Sequence, residues 1–419
     1  MSTLPQSSTP AVDREAAAAD YAALLDRSLS LNLTRGKPDP LQLDLAQALL
    51  SYDISDHRAA DGTDCRNYGG LKGLPELREI FSGPLQVPAD QLVAMDNSSL
   101  ALMHDTIVHA LLSVVPGGTQ RWTEQGDIAF LCPVPGYDRH FALCERFGIE
   151  MIPVPMTAEG PDMDVVAELA GADPRIKGIW CVPKYSNPSG VTFSEATVRR
   201  LAEMETAAPD FRIFWDNAYA VHHLTEEEVE IPDLLAACAD ASHPDRAFVF
   251  GSTSKITLAG AGVAFFGSSP ANVEWFLKHA AKRTIGPDKL NQLRHARVLG
   301  DTDGVREHMA RHRDLLRPKF DLVESILERE LGGTGLATWT RPQGGYFICL
   351  DVLDGHAQEV VRLAGEAGVA LTPAGASHPY GRDPQDSTIR IAPSYPGLAE
   401  LEEAITALTV CVRLACAEG

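Results

Sequence analysis

Between about Gln91 and Ser269 the chain runs through seven short, nearly unbroken apolar stretches: "QLVAM", "DIAFLCPVP", "EMIPVPM", "IKGIWCVP", "FRIFWD", "RAFVFGS" and "GVAFFGSS". Most are too continuous for a half-exposed antiparallel sheet, in which polar and apolar residues would alternate. Amphipathic segments separate several of them, as where Leu100, Met103, Ile107, Leu111 and Val114 fall at helical spacing. Strands buried on both faces and alternating with helices predict an α/β fold, a mostly parallel sheet with helices on both faces. In such sheets ligands bind beyond the carboxyl ends of the strands, so the pattern also says where to look for chemistry.

Residues 56–303 are expected to form the large domain built on this sheet. From about Gly304 helix-forming segments precede "RPQGGYFICLDV" and "STIRIAP", which predicts a smaller α+β domain over 304–419. Residues 1–55 are expected to supply an N-terminal arm and part of that smaller domain. The first ten residues are polar and expected to be mobile, and "AVDREAAAADYAALLDRSLSL" has a helix-forming composition.

With 36 basic and 57 acidic residues the net charge is −21, which repels nucleic acid and anionic membrane surfaces. Any anionic ligand must therefore be held by local cations. The N-terminus has no basic start followed by an apolar stretch, and no apolar run is long enough to cross a bilayer, so a cytoplasmic protein is expected. Eight cysteines are scattered without a CxxC pair or matching histidines, which points to reduced thiols and to no metal site.

The residues that follow the apolar runs are reactive ones. "LVAM" leads to Asp96, Asn97, Ser98 and Ser99, and "IAFLCPVP" to Gly136, Tyr137 and His140. "GIWCVP" leads to Lys184, Asn187 and Gly190, "FRIFW" to Asp216 and Tyr219, and "AFVFG" to Ser252, Ser254 and Lys255. Each has an ordinary reading alone: "NPSG" as a turn, Asp216 as a helix cap, Tyr137 as a rim aromatic. Their joint placement at strand ends carries the argument. "GSTSKIT" is not a phosphate-binding P-loop, because Ser254 and Ile256 flank the lysine where that motif needs glycine and a hydroxyl residue. A dinucleotide fingerprint is also missing after the first strand.

A lysine at an apolar strand end has its charged form disfavoured and becomes a usable amine nucleophile, able to form a Schiff base. An aldehyde cofactor with a pyridine nitrogen needs a carboxylate to keep that nitrogen protonated, and Asp216 can supply it. The ring oxygen needs donors, available in Asn187 and Tyr219, and the ring face an aromatic partner, available in Tyr137. A phosphate needs a helix N-terminus, which Ser98 and Ser99 open, with Ser252 adding a hydroxyl. Pyridoxal 5'-phosphate uses every one of these groups.

At these positions the sequence resembles the class I, fold type I aminotransferases, over nearly the whole chain and in the family's order. "LNLTRGKPD" is similar to the substrate loop, "NYGGLKGLPELR" to the tyrosine-bearing segment, and "PGYDRH" to the ring-stacking segment. "NPSG", "DNAY" and "STSK" resemble the three cofactor motifs, and "IRIAPSYP" the C-terminal arginine segment. "DNSSLALMHD", "VPKYSNPSG" and "TIGPDKLNQLRHAR" narrow the likeness to a bacterial subgroup of aspartate aminotransferases.

The resemblance implies the large domain of the pyridoxal phosphate fold type I and a role for each matching residue. Lys255 matches the Schiff-base lysine and proton shuttle, Asp216 the partner of the pyridine nitrogen, and Asn187 and Tyr219 the donors to the ring oxygen. Tyr137 matches the stacking aromatic, with His140 bracing Asp216. Ser98, Ser99 and Ser252 match phosphate ligands. Tyr68 matches one contributed by the partner subunit, which implies a homodimer with shared sites. Gly36 matches a substrate contact and Arg390 the fork that grips the substrate α-carboxylate.

One departure stands out: family members carry an arginine seven or eight residues beyond the lysine, where this chain has Gly262 and Val263. Lys72 and Arg66 are the candidate replacements for that phosphate countercharge. For a side-chain carboxylate the candidate cations are Arg35 and Lys37, with Lys184 and Lys289 as alternatives. The expected activity is transfer of an amino group between L-aspartate, or a similar amino acid, and 2-oxoglutarate by ping-pong kinetics. Another reaction of the same cofactor, elimination or decarboxylation, stays open, as does a different substrate preference. A ligand-sensing regulator and an inactive scaffold are further alternatives, the first disfavoured by the absence of a basic domain before Leu31 and the second by the full set of catalytic residue types.

Overall fold

The computed structural model describes residues 13–417; the expected mobility of the first ten residues falls outside them. Eight strands form the central sheet: β1 (Leu92–Met95), β2 (Ala129–Val134), β3 (Glu150–Thr157), β4 (Gly160–Pro161), β5 (Ile176–Cys181), β6 (Arg212–Asp216), β7 (Ala247–Ser252) and β8 (Ala264–Gly267). Their order across the sheet is β1-β8-β7-β6-β5-β2-β3-β4. The five strands from β7 to β3 run parallel, β4 closes one edge antiparallel, and β8 runs antiparallel to both of its neighbours. All seven apolar stretches are strands, and the sheet is mostly parallel.

The continuity of those stretches has a direct cause. In β6, Ile213 and Trp215 enter one hydrophobic cluster while Phe214 enters another, and in β7 Val249 is divided in the same way from Phe248 and Phe250. Successive side chains thus point to opposite faces, and both faces are covered. Burial on both sides also explains β8, which is fully buried although it is antiparallel. An apolar run reports that both faces are covered and says nothing of strand direction.

Beyond the sheet, a three-stranded antiparallel sheet joins Ala337–Trp339, Ile348–Val352 and Thr388–Ile391. Leu31–Asn32 pairs in parallel with Val369–Ala370. Tyr21, Leu24 and Leu33 share a hydrophobic cluster with residues of the C-terminal part such as Phe320, Leu350 and Leu408. The helix Thr302–Leu331 connects the two parts: Val305 and Met309 pack into a cluster of the central sheet, while Leu316 to Leu331 pack with the C-terminal elements.

The site is positioned by the carboxyl ends of the parallel strands. Asp216 is the last residue of β6 and Ser252 the last of β7. Met95 at the end of β1 and Ser252 both pair with Ala264, so the turn that starts the helix Ser99–Leu112 lies beside the Lys255 loop. Ser254 Oγ donates to Asn97 O at 3.3 Å and ties the two together.

Candidate active site

A cavity of about 560 Å³ opens at these strand ends, between the central sheet and the C-terminal part. Lys255, Asp216, Tyr219, Tyr137, Asn187 and Arg390 all line it, together with Ser99 and Gly36. Eight of the eleven site residues expected from sequence therefore meet in one place. Ser98 and Ser252 do not line the cavity, and Tyr68 lies on the surface, 81% exposed.

Lys255 sits in a loop that cannot drift. Thr253 N donates to Val263 O, and Val263 N donates to Thr253 Oγ1, both at 2.9 Å. The Lys255 carbonyl is reached by His222 Nε2 at 3.3 Å and by the Tyr346 hydroxyl at 3.4 Å, which in turn accepts from Gln42 Nε2 at 2.9 Å. The Lys255 Nζ lies 4.9 Å from the centre of the Tyr219 ring. Burial lowers its pKa from the ordinary lysine value, and the Asp216 carboxylate opposes that shift. Desolvation wins, and the free-base amine is more accessible than in an exposed lysine.

Asp216 is 2% exposed, with one oxygen satisfied and one not. Oδ2 accepts from His140 Nε2 at 3.1 Å; Oδ1 is buried and has no hydrogen-bond partner among the described residues. The His140 ring stacks on Trp180 at 4.3 Å between centroids, which fixes the bond to Asp216. A buried carboxylate oxygen without a donor is costly, so this site suits a ligand that brings an N–H to it. Burial, and then Tyr137 and Asp216, raise the Tyr219 pKa well above the ordinary tyrosine value, so its hydroxyl remains a donor. Burial likewise pushes Tyr137 up to about 12.

Arg390, on the strand Thr388–Ile391, faces the same cavity. Its Nη1 lies 3.1 Å from Asp138 Oδ1 and 3.4 Å from Asn187 Oδ1, and its Nη2 donates to Thr372 Oγ1 at 3.1 Å. Its Nε is buried and unpartnered among the described residues. Gly36 lies against the Phe347 ring, where a Cβ would come within 2.5 Å of Cζ, so a larger residue would push the loop or the ring away. At the opposite end Ser98 caps the helix Ser99–Leu112, its Oγ accepting from Ala101 N at 3.3 Å. That helix N-terminus presents positive partial charge to an anion. Ser252 Oγ accepts from Ser254 N at 3.4 Å.

Four cations that the sequence offered are engaged elsewhere. Lys184 is buried and donates to Ala220 O at 2.8 Å; burial lowers its pKa to about 8. Lys289 is buried and holds Asn67 O and Gly69 O at 2.8 and 2.6 Å. Lys72 Nζ donates to Asp90 O, and Arg66 pairs with Asp64 at 2.7 Å. None of the four lines the cavity. Arg35 and Lys37 do line it. The missing arginine also has a structural counterpart: Val263 is 2% exposed, and a Cβ on Gly262 would lie 3.0 Å from Asn97 O.

Sequence reasoning missed Asp138, Arg139 and Thr372 in the cavity wall. The first two directly follow Tyr137, at the start of the helix Asp138–Phe147, and that adjacency was the available signal. Thr372 is brought in only by tertiary packing.

A family model described as aspartate amino-transferase matches residues 4–419. The aspartate aminotransferase of Corynebacterium glutamicum is 51% identical over 399 residues, covering 95% of this chain and 92% of that one. The crystal structure of an aspartate transaminase from the same organism superposes with a TM-score of 0.95 at 50% identity, covering 96% of this chain and 95% of that one. The α-aminoadipate aminotransferase LysN from Thermus thermophilus shares the fold at 21% identity, with a TM-score of 0.73 and coverage of 94% of each chain.

Proposed function

From its membership of the aspartate amino-transferase family, to which this chain belongs, we propose that it transfers the amino group of L-aspartate, or a similar amino acid, to 2-oxoglutarate with pyridoxal 5'-phosphate as resident cofactor. The observation that carries this reading is the unpartnered, buried Oδ1 of Asp216 in a cavity shared with the desolvated amine of Lys255 and the guanidinium of Arg390.

When bound, the cofactor supplies an aldehyde that takes up the amino group and a protonated pyridine ring that withdraws electrons from the substrate α-carbon. Asp216 Oδ1 would accept the ring N–H, with His140 holding the carboxylate in place through Oδ2. Tyr219 and the Asn187 side-chain amide would donate to the ring oxygen, and Tyr137 would cover a ring face. Ser99, in the cavity wall, the N-terminus of the helix that Ser98 caps, and the Ser252 hydroxyl would take the phosphate. Arg390 binds the substrate α-carboxylate with its forked N–H groups, and its Nε, free of other partners, is one of the donors.

Lys255 then moves the proton. Its Nζ, neutral more readily than that of an exposed lysine, would take the proton from the substrate α-carbon and hold it for return. The exposed Tyr68 supports the further reading that a second copy of the chain completes the phosphate site, giving a homodimer with shared sites. Eight free, buried cysteines and the lack, among the described residues, of any helix long and apolar enough to cross a membrane support a cytoplasmic setting.

The test is a visible spectrum of the holoprotein. L-Aspartate alone is expected to shift the cofactor band to shorter wavelength in a single turnover, and 2-oxoglutarate to restore it. Continuous product formation without an oxo acid would instead identify an elimination or decarboxylation enzyme and overturn the reading.

A further inference from the structure

The backbone of the Lys255 loop is held by buried polar residues that do not line the cavity and that the roles above do not use. Gln42, 0% exposed in the short helix Pro40–Asp44, is their hub. Its Nε2 donates to the Tyr346 hydroxyl at 2.9 Å and to His312 Nδ1 at 3.0 Å. Tyr346 in turn donates to Lys255 O at 3.4 Å. The His312 ring packs on His308, 4.9 Å between centroids, and His308 Nε2 donates to Ile256 O at 2.6 Å. Two consecutive carbonyls, those of Lys255 and Ile256, thus lead back to one side-chain amide. Burial lowers the pKa of His308 and holds His312 down to about 4, so His312 stays neutral and offers Gln42 an acceptor nitrogen.

Gln42 is itself fixed. Its Oε1 accepts from Asp39 N at 3.1 Å, and its backbone N donates to Asp39 Oδ1 at 2.8 Å, a reciprocal helix cap. Asp39 Oδ2 pairs with Lys319 of the helix Thr302–Leu331 at 2.5 Å, and Lys319 also donates to Ser394 O at 2.8 Å. Ser394 Oγ donates to Lys37 O at 3.0 Å, in the loop whose Arg35, Gly36 and Lys37 line the cavity. A buried ion pair adds little net stability once desolvation is counted, so what the Asp39–Lys319 pair supplies is geometry.

We propose that Gln42 is a positioning residue for Lys255: by holding Tyr346 and the His312–His308 pair, it fixes the Lys255 and Ile256 carbonyls and so the place from which the amine works. The inference rests on the aminotransferase reading above, in which that amine carries the proton. Gln42 does not line the cavity, so its effect falls on the chemical step and not on substrate binding.

Gln42→Met keeps the length of the side chain and removes both donors, whereas Tyr346→Phe breaks one path only. In the holoenzyme, kcat with L-aspartate is expected to fall about 10-fold in Q42M and less in Y346F, with KM held within about twofold. In the apoprotein, hydrogen exchange of the Ile256 and Thr257 amides, which donate to Thr253 O at 2.9 and 2.8 Å, should quicken by a similar factor in Q42M. Leu316→Ala removes a buried apolar side chain from the same connecting helix; it controls for lost stability and should leave kcat near that of wild type. Wild-type kcat in Q42M, unchanged exchange at Ile256 and Thr257, or an equal loss of kcat in L316A would each overturn the assignment. Exchange is read without turnover. A protein that failed to transaminate L-aspartate would defeat the parent reading, while this one would stand or fall on the amide rates.

Discussion

His140 Nε2 meets Asp216 Oδ2 at 3.1 Å inside the protein, and leaves the other oxygen of this cavity-lining carboxylate without a donor among the described residues. The pair divides one carboxylate between a protein partner that orients it and a ligand that it can serve. Replacing Asp216 by Ala should lower kcat by about 10²- to 10⁴-fold, the range for removing a positioned proton-holding group. His140→Ala should cost less, because Oδ1 remains. Steady-state kinetics with L-aspartate checks both, and an Asp216→Ala enzyme at wild-type rate would refute the role of the carboxylate.

Acid should loosen the fold through its buried histidines. Burial holds His109, His223 and His312 each down to about 4, below the ordinary value of about 6.5. The unfolded chain therefore binds protons that the folded chain refuses. The stability contributed is present above pH 6.5 and is lost as the pH falls toward 4, with a slope of at most about 1.4 kcal/mol per pH unit per proton. Urea midpoints measured from pH 7.5 to 4.5 should fall across that window, and His312→Gln should flatten the fall. A midpoint that held steady to pH 4.5 would contradict the assignment.

The position of the absent arginine is closed to a simple reversion. A side chain on Gly262 would begin 3.0 Å from Asn97 O and 3.3 Å from Ser254 Oγ, the contact that ties the Lys255 loop to the Ser98 turn. Gly262→Arg should therefore bind pyridoxal phosphate more weakly than wild type, despite the added charge. Fluorescence titration of the apoprotein measures it; tighter binding in the variant would show that the turn can yield.

Much of the architecture was legible because burial on both faces writes itself into a strand as an unbroken apolar run. Strand β4, Gly160–Pro161, was not legible, since two residues carry no periodicity. The antiparallel direction of β8 was equally hidden, because covering both faces gives the same composition in either direction. In the site, Lys255, Asp216, Asn187, Tyr219 and Arg390 announced themselves by residue type and order. Lys184 and Lys289 looked equally available as cations, and only the structure places backbone carbonyls against their ammonium groups.

Borohydride reduction of the holoprotein, followed by peptide mapping, tests the central chemistry most directly. A phosphopyridoxyl group is expected on Lys255 within residues 247–282, and none there in a Lys255→Ala protein that has also lost turnover. A label on another lysine, or a Lys255→Ala enzyme that still transaminates L-aspartate, would contradict it.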